Sequence, residues 1–363
     1  MAWAGTGLAP QGWTREDRGV PAPAYDAVVV VSFGGPEGPD DVMPFLENVT
    51  RGRGVPPERL AEVAEQYLTT TGGVSPINAQ NRALVAALTE ELGRAGLDLP
   101  VYWGNRNWHP LLPDTVATMA ADGVERALAF VTSAYSSYSG CRQYLEDIER
   151  ARATVGERAP VIDKLRQFWN HPGFVEPFRS GLLDALDRLE PDRRARARLL
   201  FSAHSLPMSM AATSDYVAQL HDAVGLVADA VAPELDRELV WQSRSGPPQV
   251  PWLEPDVNDR LRELADEGVD TVVVVPIGFV SDHQEVVFDL DTQAAATAAE
   301  AGITMVRVPT PGIDPRFVAM VRELVEERLD PSRPRRALGS MGARPDGCAP
   351  DCCPAPRRPG SGR

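Results

Sequence analysis

Hydrophobic and polar positions along this chain fall into two alternating patterns. Unbroken apolar runs, AVVVVS at 27–32, ALAFV at 127–131, RLLFSA at 198–203 and TVVVVPI at 271–277, read as strands buried on both faces. Between them, stretches such as DTVATMAADGV and DRLRELADEGV space their apolar residues three and four apart, as amphipathic helices do. Strands of this kind separated by helices predict an α/β fold built on parallel sheets covered on both faces.

The pattern occurs twice. Residues 114–132, DTVATMAADGVERALAFVT, parallel residues 259–277, DRLRELADEGVDTVVVVPI, with Gly123 and Gly268 in equivalent turns. VYWGNRNWHP (101–110) parallels LVWQSRSGPPQVPW (239–252), and FWNHPGFVEPFRSGLLDAL (168–186) parallels VPTPGIDPRFVAMVREL (308–324). A repeat this long is not a solenoid unit; it predicts a duplicated domain. The expected organisation is a polar, disordered arm at 1–23, one domain at 24–185 and a second at 186–333, with the last helix able to pack back on the first. A Cys/Pro/Arg-rich tail follows at 334–363. Ligands of such sheets bind beyond the carboxyl ends of the strands. That rule selects the loops Ser32–Gly35, Thr132–Cys141, Ser202–Pro207 and Gly278–Glu285, which two facing domains would gather around one cleft.

Charge and composition narrow the partners. A net charge of −15 argues against nucleic acid or an anionic membrane, so an anionic ligand would have to be caught by local arginines. No apolar run approaches the ~20 residues that cross a bilayer, and the N-terminus lacks a secretory pattern, so the expected location is the cytoplasm. There, the four cysteines Cys141, Cys348, Cys352 and Cys353 suggest metal ligation more than disulfides.

Two strand ends carry candidate chemistry. His204 in SAHSLP could serve as general base or metal ligand, or could simply shape its turn through a carbonyl bond. In SDHQEVVFDLD (281–291), Ser281 and Gln284 match a capping box, which predicts a helix starting there. Asp282, Glu285 and Asp289 would then share one helical face at offsets of 0, 3 and 7, fit to carry a divalent cation or accept protons. The competing readings are a dipole-complementing acid for Asp282 and a solvated face for the other two.

From about Tyr25 to Leu329 the sequence resembles the ferrochelatases, most closely those of Gram-positive bacteria that act on coproporphyrin III. The resemblance rests on SFGGPEGPDD, QYLTTTGGVSPI, SAHSLP, WQSRSGP with PWLEPD, and VPIGFVSDHQEVVFDLD, in that order. It implies two similar Rossmann-like, chelatase-like domains around a shared cleft, and insertion of Fe²⁺ as substrate. His204 and Glu285 would face each other across the porphyrin as the catalytic, iron-binding pair, with Asp282 and Asp289 as a supporting acidic track. Ser75, Tyr144 and Phe33 would contact the porphyrin, against plain readings as a turn residue, a helical aromatic and a packing ring. Arg51 and Arg53 would pair with its propionates, since guanidinium forks match carboxylates. The short loop at 48–57 with its two arginines favours coproporphyrin III, which has four propionates, over protoporphyrin IX, which has two. Some coproporphyrin enzymes have a tyrosine able to ligate product iron where this chain has Phe33, so no axial phenolate is expected there. One internal and three tail cysteines resemble the ligands of a [2Fe–2S] cluster, with a Cys₄ zinc site or idle thiols as the alternatives. Other candidates are a haem-binding or haem-delivery protein, a solute-binding protein and a cobalt or nickel chelatase. The default oligomeric state is a monomer.

Overall fold

The computed structural model describes residues 24–52, 54–246, 249–349 and 351–356. The arm at 1–23, Arg53 and the last seven residues of the tail lie outside them. Two four-stranded parallel sheets form the frame. The first, in the order β2-β1-β3-β4, consists of β1 (Ala27–Ser32), β2 (Val101–Asn105), β3 (Arg126–Val131) and β4 (Val161–Lys164). The second, in the order β6-β5-β7-β8, consists of β5 (Arg198–His204), β6 (Arg237–Gln242), β7 (Thr271–Val275) and β8 (Thr304–Arg307). The two orders are the same order repeated, as the duplicated sequence requires. Gly123 (φ +83°) and Gly268 (φ +85°) hold matching left-handed turns, where a helix ends and the next central strand begins.

Residue alternation sorts the strand side chains into three cores. Val28, Val30, Leu128 and Phe130 of the first sheet join Leu199, Phe201, Val273 and Val275 of the second in one continuous central core. On the opposite faces, Val29, Val31, Ala127 and Ala129 pack under helices α4 and α5, and Leu200, Val272 and Val274 under Val257–Asp266 and its neighbours. The helices concerned are α1 (Pro39–Val49), α2 (Pro57–Thr71), α3 (Ile77–Arg94), α4 (Leu112–Ala121), α5 (Gln143–Val155) and α6 (Pro172–Asp187).

Two helices cross between the halves. Helix α6 lies against β7 and Tyr216–Val231 of the second half, while the last helix, Pro315–Leu329, packs on α3 and α6 and sets Phe317 edge-on to Phe130. Helices α1 and α2 form a separate apolar pair around Val42, Phe45 and Leu46, with Phe33, Tyr67 and Trp108 packed beside it. The tail is fastened by polar contacts: Leu338 N–H donates to Asn170 O (2.8 Å), Arg166 Nη2 donates to Arg336 O (2.9 Å), and Arg336 pairs with Glu323.

Candidate active site

His204 ends β5, a central strand of its sheet, beside Gln242 at the end of β6. Its Nδ1 lies 2.6 Å from the Ser205 carbonyl oxygen. A carbonyl only accepts, so Nδ1 carries a proton, and in the neutral tautomer the lone pair is the one on Nε2. That lone pair faces Glu285, whose Oε2 is 3.7 Å away, and the two side chains are 33% and 47% exposed. The gap exceeds a hydrogen bond and suits a small cation or a moving proton. A flat macrocycle between them would need two van der Waals contacts, about 7 Å in all. Glu285 is the more exposed of the two and the better placed to turn aside.

Glu285 sits in a short helical turn, Gln284–Val286, which runs through a π-helical stretch, Val287–Ala294, into Ala295–Glu300. The capping box expected from Ser281 and Gln284 does not form. His283 caps the turn, its Nδ1 accepting from Glu285 N–H at 3.2 Å, and the Gln284 side chain reaches Thr71 of α2 instead. Burial pulls the His283 pKa down, which suits an accepting, neutral imidazole.

The expected face of three carboxylates is corrected to two. Asp282 precedes the helix, and its Oδ1 accepts from Arg307 Nη1 at 2.9 Å, a pair that also holds Asp291. Asp289 stays behind Glu285, where it accepts from the Ser243 hydroxyl and from Gln242 Nε2 (3.3 Å). Burial raises its pKa to about 6, with the nearby Glu285 adding to the rise against the pull of Ser243. Ser243 holds a left-handed backbone (φ +61°), uncommon for a side chain of its kind, and so aims its hydroxyl at Asp289. Neither Ser243 nor Gln242 emerged as a candidate from the sequence. The break in β-pattern after VWQ marks a loop, and only the fold reveals that the loop backs the acid.

The other candidates are spread more widely. Ser75 is 3% exposed and packed against Gly35, where an added Cβ would come within 2.6 Å of Ser75 Cβ. Tyr144 is 5% exposed in the core under the first sheet, with the Arg106 guanidinium 3.7 Å over its ring. Both therefore offer little free surface to a ring. Phe33 is half-buried, edge-on to Phe45 at 6.3 Å. Arg51 is exposed in the turn after α1, and Arg53 lies outside the described residues. Tyr67 of α2 is a neighbour the sequence did not single out; burial raises its pKa and the charge of Glu285 raises it further.

The four cysteines are all free thiols. Cys141 lies in a π-helical turn, Tyr138–Arg142, with Gln167 Nε2 at 2.6 Å from its sulfur. The Sγ atoms of Cys352 and Cys353 are 3.6 Å apart, and Cys348 is close enough to Cys141 and Cys352 for each to shift its titration. The hydrogen bond with Cys141 lowers the Cys348 pKa to about 7, whereas burial raises that of Cys353 to about 12. Arg142 donates to the carbonyl oxygens of Ala349 and Cys352 and so pins the tail over Cys141. Among the described residues, no three His, Cys, Asp or Glu stand as a formed metal site.

Comparison with known proteins shows the family. The family model described as Ferrochelatase matches residues 25–329. A coproporphyrin III ferrochelatase of Nocardia farcinica is 57% identical over 348 residues, covering 93% of this chain and 98% of that one. One from Frankia alni is 56% identical, covering 93% and 89%, and a ferrochelatase of Rhodopirellula baltica is 53% identical, covering 93% and 96%. Among solved structures, SirB from Bacillus subtilis with Fe³⁺ superposes with a TM-score of 0.54 at 12% identity, covering 85% of this chain and 97% of that one, a likeness of fold. A family match that runs through both halves, with relatives more than half identical over nearly their whole length, shows that this chain belongs to the ferrochelatases.

Proposed function

We propose that this ferrochelatase inserts Fe²⁺ into coproporphyrin III, with His204 and Glu285 as the working pair. The observation that carries the proposal is His204 Nε2 facing the Glu285 carboxylate across 3.7 Å, with Nδ1 held by the Ser205 carbonyl. Insertion forms bonds from iron to the four ring nitrogens and releases the protons of two N–H groups, while the cation sheds its water. An imidazole lone pair and a carboxylate on opposite faces of the ring can divide those tasks, one holding iron or a pyrrole proton, the other receiving what leaves. Asp289, with its raised pKa, suits the next proton acceptor behind Glu285. Asp282 supports the track indirectly, by fixing the loop through Arg307.

Coproporphyrin III is favoured by the relatives that bear its name and by the arginines of the α1–α2 loop, Arg51 and Arg53, which suit propionates. Phe33 would pack on the ring and supply no axial ligand. Ser75 and Tyr144 would serve the porphyrin from beneath, by shaping the loops that meet it. No helix among the described residues is long and apolar enough to cross a membrane. We take the enzyme to be a cytoplasmic monomer, in keeping with four free thiols in a reducing compartment.

The cysteines match a [2Fe–2S] cluster in number and chemistry, four thiols with one lowered to about 7, but among the described residues they are not gathered as a formed metal site. Cys141, Cys348, Cys352 and Cys353 would hold it, and Arg142 pre-positions the tail that brings three of them. When bound, it would cross-link the tail to the first half of the molecule. Protein isolated without oxygen should contain about two irons and two sulfides per chain, lost in Cys141→Ser. Intact protein with neither iron nor sulfide would remove the cluster.

The substrate test is anaerobic Fe²⁺ insertion with coproporphyrin III and protoporphyrin IX in parallel, followed by visible absorbance. Faster metallation of coproporphyrin supports the proposal, and a preference for protoporphyrin reverses the substrate. Tight binding of both with metallation of neither would favour a haem carrier.

A further inference from the structure

The loop that carries Glu285 is held from the other half of the molecule. Gln80, in the first turn of α3, faces the backbone of Asp282 with both ends of its amide. Its Oε1 accepts from Asp282 N–H at 3.0 Å, and its Nε2 donates to Asp282 O at 2.9 Å. Reversing the amide would oppose donor to donor and acceptor to acceptor, so only this orientation satisfies both bonds. Two residues on, Thr71 Oγ1 at the end of α2 donates to Gln284 Oε1 at 2.9 Å. The Asp282 carboxylate is fixed on its own side by Arg307. Residues immediately before Glu285 are thus tied to the α2–α3 elbow, whereas the Glu285 side chain itself is 47% exposed, with His204 3.7 Å away.

We infer that Gln80 is a positioning residue for metal insertion, setting the Glu285 carboxylate opposite His204 by clamping the Asp282 backbone to α3, with Thr71 as its second point. The inference rests on the proposed role of Glu285. His204 is fixed differently, by its strand and by the Ser205 carbonyl, so loss of the clamp moves one partner and not the other. Small displacements of reacting groups slow catalysis steeply. The Gln80 amide itself bonds the Asp282 backbone and none of the residues proposed to meet the porphyrin, so the porphyrin should still bind.

The test is a double-mutant cycle between Gln80→Leu and Glu285→Gln, read by single-turnover Fe²⁺ insertion into coproporphyrin III with enzyme in excess. Gln80→Leu alone is expected to slow insertion by about tenfold, with the porphyrin KM within about twofold of wild type. In the Glu285→Gln background it should add almost nothing, because its effect passes through the missing carboxylate. Hydrogen exchange of residues 281–287 should quicken in Gln80→Leu while residues 198–204 stay protected. Additive losses, a KM effect alone, or unchanged exchange at 281–287 would overturn the clamp. Wild-type insertion by Glu285→Gln would instead overturn the role of Glu285, and the two failures are distinguishable.

Discussion

His204 owes its usefulness to two neighbours that leave it one free nitrogen. The Ser205 carbonyl accepts the hydrogen bond from Nδ1–H, and β5 holds the ring at the carboxyl end of the sheet. Gly278, in the loop after β7, lets that end close. A Cβ there would come within 2.6 Å of Ala203 Cβ and 2.7 Å of Ala203 Cα, atoms of the residue just before His204. Gly278→Ala should therefore cost about 1–3 kcal/mol in chemical denaturation, by overpacking, and should slow insertion through displaced His204. Unchanged stability and rate would mean that the loop yields freely. At this scale the sequence was informative where a residue's place in the chain fixes its place in space. His204 and Glu285 follow apolar strands, and strand ends are where such sheets bind ligands. It was uninformative where a partner lies far along the chain. Asp282 looked like a free acid because Arg307 is 25 positions away, and Gln80 looked like any helical glutamine because its partner is 202 positions away.

Among the elements, the last helix does most to bind the halves together. Its Glu323 meets His171, which caps the start of α6, with Nε2 to Oε2 at 3.2 Å, and also pairs with Arg336 of the tail. His171 accepts from Gly173 N–H through Nδ1, and burial lowers its pKa, so at neutral pH it faces Glu323 as an uncharged ring. The His171 contact, aided by Arg336, holds the Glu323 carboxyl at about 2. Between about 4.3 and about 2 the unfolded chain therefore binds more protons at this position than the folded one. The stabilisation is complete above that window and is lost as the pH falls through it. Glu323→Gln should cost about 1–3 kcal/mol at pH 7, and its difference from wild type should shrink as the pH drops below about 4. A difference independent of pH would show that Glu323 is not held in this way. Apolar patterning marks the central strands β1, β3, β5 and β7 and the helices that precede β3 and β7, yet the capping box that local sequence predicts at the Glu285 turn does not form. Ser281 and Gln284 satisfy a local rule, but Gln284 is engaged by Thr71 and His283 takes over the cap. Nor does any local signal announce the π-helical stretch at Val287–Ala294.

The whole molecule is a duplication whose halves have diverged in duty. Both sheets keep one strand order, as the internal repeat foretold, and they share one central core, which the repeat did not foretell. The chemistry is unequal: His204, Glu285, Asp289 and Ser243 all belong to the second half, whereas the first supplies the α1–α2 pair, the Gln80 clamp and the bed for the cysteine tail. A repeat in sequence cannot show such a division, because equivalent positions carry unlike residues for reasons that appear only across the cleft. The account stands on His204 as the group that makes metal insertion possible. Its most direct test is single-turnover Fe²⁺ insertion by His204→Ala under anaerobic conditions, with coproporphyrin III binding measured separately by fluorescence quenching. The expected result is porphyrin bound about as tightly as by wild type and insertion slowed by about 100-fold or more. Insertion at the wild-type rate with the porphyrin bound would contradict the assignment.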